Sequence, residues 1–326
     1  MKVKVYIYGL CDVFYDSYYI QGIKEIYKNV EFNVSKFPKF NEEAFAFIIE
    51  GHNYSRKIII DSKDTSQIDL NELEWCDVYG KVNYNIDSLP VKDSEKIIAI
   101  GPSFGIKIWN LFETLHHLLF NYIRFKSSII NKRIFVANYL RQYKRLNLKK
   151  YNRTQSSLNE VFFLNSIWKK ENETNKNRAL FIETCKSNHE VNFEGGFVAR
   201  SNGDNLGFDH LVYSGKIPLK TYLKKIKNSA FVFNTPAVLS CHGWKLAEFL
   251  ALGKAIITTS HYNQLPADLL NEKHLLYAEN HDEINKAIEK LTTDISFKRK
   301  LEFESRNYFD NYLAPQKVIK RLLEKQ

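Results

Sequence analysis

The stretch from Ala230 to Thr259 constrains the fold of this chain more than any other. Ala230-Phe231-Val232-Phe233-Asn234 reads as a short apolar strand. Thr235-Pro236 ends it, because proline cannot continue a central ladder. A loop leads to His242-Gly243, and a helix is predicted from about Trp244 to Leu252. Gly253 stands where a helix C-terminus favours a left-handed residue. Ala255 to Thr259 is the next strand. A strand, a crossover helix and a second strand imply a parallel sheet. In such sheets ligands bind beyond the carboxyl ends of the strands.

Glu248 is the one carboxylate of the stretch CHGWKLAEFLALGKAIITT, set among Leu246, Ala247, Phe249, Leu250 and Ala251. Two readings are open. In one it is a solvated helix charge and Gly243 is a plain turn residue. In the other the helix start is a ligand site. Gly243 allows close backbone approach, the first-turn amides have no internal partner, and the dipole there favours an anion such as diphosphate. Lys245 adds positive charge. Glu248, one turn after Trp244, can accept two hydrogen bonds from a diol such as a ribose.

The rest of the chain alternates strands and helices. In the first half, strands are predicted at Lys2 to Tyr8, Ala44 to Ile49, Lys57 to Asp61, Val78 to Asn83 and Ile97 to Ile100. Helices are predicted at about Val13 to Lys28 and at Leu70 to Trp75, with a long helical pattern after Gly105. The second half has predicted strands at Ala179 to Glu183, Phe193 to Phe197 and Leu275 to Ala278. Its predicted helices are Leu219 to Lys227 and Asp282 to Leu291. Such alternation argues for α/β architecture with helices on both faces of a parallel sheet. At 326 residues the chain suits two domains, and the polar run Lys169 to Asn177 is the linker candidate.

Composition excludes several classes. No run of 18 apolar residues is present, so no spanning helix is expected, and the N-terminus lacks a signal-peptide pattern. The four cysteines are scattered and imply reduced thiols, not a disulfide framework or a metal cluster. The net charge is +10, and no Asp or Glu occurs from Thr114 to Asn159, a window that holds ten Lys and Arg. Aromatics are interleaved with those cations. The block points to an anionic partner such as an anionic membrane surface, or is simply a solvated basic face. No nucleic-acid motif is present and no nucleic-acid partner is expected.

The stretch Ser240-Cys241-His242-Gly243 … Glu248-Phe249-Leu250-Ala251-Leu252-Gly253-Lys254-Ala255-Ile256-Ile257 resembles the C-terminal domain of GT-B glycosyltransferases, in particular the retaining group called family four. Their Glu-x7-Glu motif reads E-G-F-G-x-x-x-x-E-A-x-A-x-G-x-P-V-V. Gly243, Glu248, Ala251 and Gly253 match it by position. The wording is also similar to that of bacterial polysaccharide-cluster transferases. The resemblance is specific over about Lys220 to Leu291.

The resemblance implies a GT-B fold: two Rossmann-like, doubly wound parallel-sheet domains facing a cleft. Residues 1–168 would bind the acceptor and residues 178–310 the nucleotide sugar. Residues 311–326 would form a helix packing back towards the first domain. It implies a hexosyl- or related transferase acting on a saccharide or lipid-linked acceptor in surface polysaccharide synthesis, cytoplasmic and peripheral on the inner face of the membrane. Glu248 inherits the ribose-binding role. Ser240 replaces the first glutamate, which in the family contacts the donor sugar. Lys186 is the nearest match to a diphosphate-binding cation beyond the first C-domain strand, and Arg200 is a second candidate. Ser240, His242, Gly243 and Lys245 complete the expected donor site. Asp12, after the first strand, is a candidate catalytic base. No cofactor and no obligatory metal are expected. A nucleotide-sugar epimerase on the same fold and a non-catalytic nucleotide-sugar-binding subunit stand as alternatives.

Overall fold

A computed structural model of the chain describes residues 3–40 and 44–325; Lys2, placed in the first predicted strand, lies outside them. The chain divides into two compact units, residues 1–150 with 264–266 and 311–326, and residues 151–263 with 267–310.

In the first unit β1 (Lys4–Tyr8), α1 (Ser17–Ile26), β2 (Val30–Asn33), β3 (Phe45–Glu50), β4 (Ser55–Asp61), α2 (Leu70–Trp75), β5 (Val78–Lys81) and β6 (Ile97–Ala99) precede two helices, α3 (Leu111–Phe125) and α4 (Lys132–Lys144). The strands form one sheet in the order β2-β1-β3-β4-β5-β6. The sheet is mixed, not wholly parallel as expected: β3 runs antiparallel to both β1 and β4. The reason is local. Only Gly51 to Tyr54 joins β3 to β4, closed by Gly51 N–H donating to Tyr54 O at 2.9 Å. A connection that short permits a hairpin and forbids a crossover, which needs a dozen or more residues.

Inside this unit the carboxylate that ends β4 is answered by a cation. Lys81 Nζ lies 2.7 Å from Asp61 Oδ2, both side chains fully buried. The Tyr79 hydroxyl donates to the same carboxylate at 2.6 Å. The C-terminal helix, Pro315–Glu324, packs on α1: a Cβ on Gly22 would come within 2.4 Å of Pro315 O, and the Tyr18 hydroxyl donates to Leu313 O at 2.5 Å. Gly101, at φ +71°, turns the chain after β6, where a Cβ would meet Leu313 and Pro266.

The second unit runs β7 (Glu160–Ser166), α5 (Asn172–Ser187), β8 (Asn192–Val198), β9 (Val212–Tyr213), α6 (Leu219–Asn228), β10 (Val232–Asn234), α7 (Trp244–Leu252), β11 (Ile256–Thr258), β12 (Leu276–Tyr277), α8 (His281–Thr293) and α9 (Ile295–Tyr308). Every strand pairing in it is parallel. The strands form the ladders β7-β8-β9 and β10-β11-β12. Ala230 N–H donates to Glu160 O at 2.6 Å, so β10 begins beside β7. The chain builds outward from β7 on one side, then returns through β10 and builds outward on the other. That reversal between β7 and β10 is a topological switch point. Phe163, Phe181 and Phe233 fill the core beneath it, the last two stacked with centroids 4.4 Å apart.

Two sequence expectations are corrected here. The first strand of this unit is β7, in the segment assigned to the first domain, and Ala179 to Glu183 is helical. Buried positions 174, 175, 178, 179, 181, 182 and 185 recur at the helical period, so the apolar run faces the sheet from α5. The polar run Lys169 to Asn177 enters that helix and is not a free linker. By contrast α7 has the expected bounds, and its C-cap Gly253 adopts the left-handed conformation, φ 58° and ψ 54°.

Gly195 and Gly196 let β8 lie flush against its neighbours. A Cβ on Gly195, at φ +142°, would sit 1.8 Å from Phe163 O of β7. Gly195→Ala should therefore destabilise the second unit by more than about 3 kcal/mol, read as a fall in the denaturant midpoint. An unchanged midpoint would refute this packing.

Candidate functional site

The site is assembled where β7 and β10 end. Helix α5 returns alongside β7 and carries Arg178, which is 5% exposed. Its guanidinium ties the two strand ends together, Nε donating to Thr235 Oγ1 and Nη1 to Ser166 O, each at 2.9 Å. Burial lowers its pKa to about 10. From the first turn of α7, Lys245 Nζ donates to Leu164 O of β7. Burial, with Arg178 beside it and Glu248 opposing, lowers the Lys245 pKa to about 7. Two cations and one carboxylate thus converge on the switch point.

Glu248 is 7% exposed on α7, within electrostatic reach of Lys245. It is therefore not a solvated helix charge. Gly243 is the N-cap of α7 in an extended conformation, φ −85° and ψ 158°. An added Cβ there would touch only Ala237 Cβ, at 3.4 Å. Neither backbone strain nor crowding from the fold demands glycine at this position. The loop before it is unusual: Leu239 and Ser240 both have positive φ, 53° and 59°. It is held from two sides. Glu171 Oε1 accepts from Leu239 N–H at 3.0 Å, and Asn263 Nδ2 donates to Ser240 O at 3.2 Å.

His242 is buried, with its ring centroid 5.6 Å from that of His261, in the segment after β11. His261 Nδ1 lies 3.2 Å from the Tyr277 hydroxyl, and burial lowers its pKa to about 4. Ser240, His242, Gly243, Lys245 and Glu248 thus fall on one loop-helix segment, as their sequence order requires. Arg200 follows β8, paired with Asp204 Oδ2 at 3.4 Å. It shares an opening of about 430 Å³ with Ser166, Ile167, Val198 and Ala199, at the carboxyl ends of β7 and β8.

Lys186 does not join them. It occupies the last turn of α5, with Nζ 3.5 Å from His210 O. The helix that leaves the carboxyl end of β7 ends near the amino end of β8, so Lys186 lies on the opposite rim of the sheet. The mistaken strand at Ala179 to Glu183 had put it at the wrong end. Arg178, Glu171 and His261 were not singled out from the sequence. A buried arginine on the apolar side of a helix was the available signal for Arg178, hidden once that segment was read as a strand.

Asp12 belongs to the first unit. Its Oδ2 accepts from Asn138 Nδ2 at 2.7 Å and its Oδ1 from Phe14 N–H at 2.9 Å. Burial raises its pKa from the ordinary value, opposed by the Phe14 and Tyr15 N–H groups and by Arg141. With Ser128, Asn131 and Asn138, Asp12 forms the polar part of a cavity of about 190 Å³ that is also lined by Leu10, Phe40, Ile129 and Phe135. Among the described residues no group of three or more His, Cys, Asp or Glu is placed to hold a metal ion. The cysteines Cys11, Cys76, Cys185 and Cys241 are buried thiols.

No family model matches the chain, and no curated protein matches it. Solved structures similar to it include the C-terminal domain of a glycosyl transferase group 1 family protein (LpcC) from Francisella tularensis. That likeness has 13% identity and a TM-score of 0.36, and covers 51% of this chain and 97% of that one. A glycosyltransferase from Rickettsia africae is 12% identical, with a TM-score of 0.47 and coverage of 82% and 69%. TarM is 12% identical with a TM-score of 0.38; the match covers 53% of this chain and 36% of TarM. This chain thus spans little more than a third of TarM's length.

Two outcomes test this geometry. Arg178→Ala strips a charged donor from Ser166 O and Thr235 and should cost about 3 kcal/mol in urea unfolding. His261, neutral in the fold down to about pH 4 but titrating near pH 6.5 when unfolded, leaves the unfolded chain with the extra proton between those values. Its contribution to stability therefore rises with pH across that window and is lost as pH falls through it. An NMR titration should place the His261 transition near pH 4; a midpoint above pH 6 would refute the shielding of its ring from water.

Proposed function

We propose that this chain is a glycosyltransferase of the GT-B type. It moves a sugar from a nucleotide-sugar donor, bound by the second unit, to a saccharide or lipid-linked saccharide acceptor. One observation carries this reading. Glu248 is buried one turn from the amino end of α7, within electrostatic reach of Lys245, which Arg178 also adjoins at the switch point.

Each part has a role in that chemistry. A diphosphate at the α7 amino end meets first-turn amides and the positive end of the helix dipole. Lys245 and Arg178 add charge where the leaving diphosphate gains it, and Arg200 stands at the neighbouring strand end. Glu248 accepts from the two ribose hydroxyls. Ser240, in place of a carboxylate, and His242 face the donor sugar. In the transfer the bond from the anomeric carbon to the diphosphate breaks, and one to the acceptor oxygen forms. The acceptor's proton leaves, and Asp12, its affinity for protons raised by burial, is the group proposed to take it. Surface polysaccharide assembly is the proposed setting.

The first test is a thermal-shift screen against nucleoside diphosphates. At least one should stabilise the protein, and Glu248→Ala should lose most of that shift; equal shifts in both proteins remove Glu248 from the site. Turnover of the matching nucleotide sugar with a saccharide acceptor should follow. Binding without any turnover would instead favour a nucleotide-sugar-binding subunit, and epimer release without acceptor an epimerase. A second test uses Lys245. A bound diphosphate favours its charged form, so binding takes up a proton once the free lysine is neutral. Diphosphate affinity should fall as pH rises above about 7, by up to about tenfold per pH unit. Lys245→Met should flatten that dependence.

A further inference from the structure

Helix α3 in the first unit presents an apolar face outward. Leu111, Phe112, Leu115, Leu119, Phe120 and Ile123 are all exposed, Phe112 to 80%, Ile123 to 66% and Leu119 to 62%. At about 100° per residue they occupy roughly half the helix circumference, an arc they share with the exposed His116, whose ring stacks on Phe120. Thr114, Asn121 and Phe125 form the opposite, buried side. The helix is thus amphipathic in reverse, anchored by its more polar side. The patch continues past the helix through Ile130 and Ile134, 68% and 51% exposed. An apolar surface of this continuity marks an interaction site.

The charge around it selects the partner. Lys126, Lys132 and Arg133 are exposed between α3 and the first turn of α4. No acidic residue follows Glu113 until Glu160. Glu113 itself is engaged in the cap, its Oε2 accepting from Asn110 N–H at 2.8 Å. A second copy docked face to face about a two-fold axis would set identical basic rims against each other, which like charge opposes. An acyl phase bordered by anionic headgroups satisfies both the apolar residues and the cations. At 15 residues α3 is about 22 Å long, short of the ~30 Å hydrocarbon core. No helix among the described residues is long and apolar enough to cross a membrane. The helix therefore suits lying in the interface.

We infer that the outward face of α3, with Ile130, Ile134 and the bordering cations, docks this protein onto a bilayer containing anionic lipid. The inference stands on the first unit alone and does not depend on the donor site.

The test is co-sedimentation of the full chain with phosphatidylcholine vesicles and with vesicles of phosphatidylcholine and phosphatidylglycerol, read beside light scattering of the protein alone. Binding to the mixed vesicles is expected, with much weaker binding to phosphatidylcholine alone. Lys132→Gln and Arg133→Gln should each weaken it about fivefold. Phe112→Ser, Leu119→Ser and Ile123→Ser combined should abolish it while leaving the melting temperature unchanged, since all three side chains are exposed. Three results would each overturn the inference: no binding to mixed vesicles at low salt, equal binding by the triple variant, or a stable dimer that the triple variant dissociates. The last would identify a second copy as the occupant.

Discussion

The second unit depends on one guanidinium. Arg178 reaches from α5 to the ends of β7 and β10 and holds Ser166 O and Thr235. These are the strands where the sheet order reverses, and the chain between their carboxyl ends has no ladder to fix it. The several N–H groups of Arg178, on a rigid planar fork, satisfy both strand ends at once in a fixed geometry. Because its charge is buried, Arg178 also biases its surroundings. Lys245 sits beside it and is pushed towards neutrality, while Glu248 opposes that push. Structure and chemistry share the same group: the clamp that closes the sheet makes the site attractive to an anion.

The first unit handles buried charge in the opposite way. Lys81 and Asp61 are both fully buried, 2.7 Å apart, and Tyr79 satisfies the same carboxylate. Removing one partner of such a pair would leave an uncompensated interior charge. The pair is closed on itself and leaves nothing for a ligand. At the switch point of the second unit the cations outnumber the acid, and the helix amino end is turned to the same place. That imbalance is what distinguishes a candidate site from a structural pair.

The reach of the sequence varied with the kind of signal. Helix α7 was legible to its end residues, because Gly243 and Gly253 punctuate it and the segment between is mostly apolar. Glu248 stood out as its one carboxylate. Helix α5 was misread because Ala179 to Ile182 is apolar and short. Periodicity over so few residues cannot separate a strand from the buried side of a helix. The buried positions spread over 12 residues from Thr174 to Cys185 carried the helical period, but polar residues among them masked it. That error moved β7 into the wrong domain and Lys186 to the wrong rim. The antiparallel turn of β3 was legible and overlooked: the distance along the chain from β3 to β4 is too short for a crossover.

What the sequence determined by itself was local: most strands and helices of the alternating pattern, the caps of α7, the acid-free basic window and the isolation of Glu248. These rest on periodicity, steric rules for glycine and proline, and charge counts, all readable within a few turns of chain. Tertiary structure alone decided that Arg178 spans β7 and β10 and reaches Lys245, that Glu248 is buried, and that the apolar residues of α3 point outward. Each of these depends on which side of an element faces a neighbour distant in sequence. An amphipathic pattern shows that a helix has two faces. Only packing decides which of them is covered.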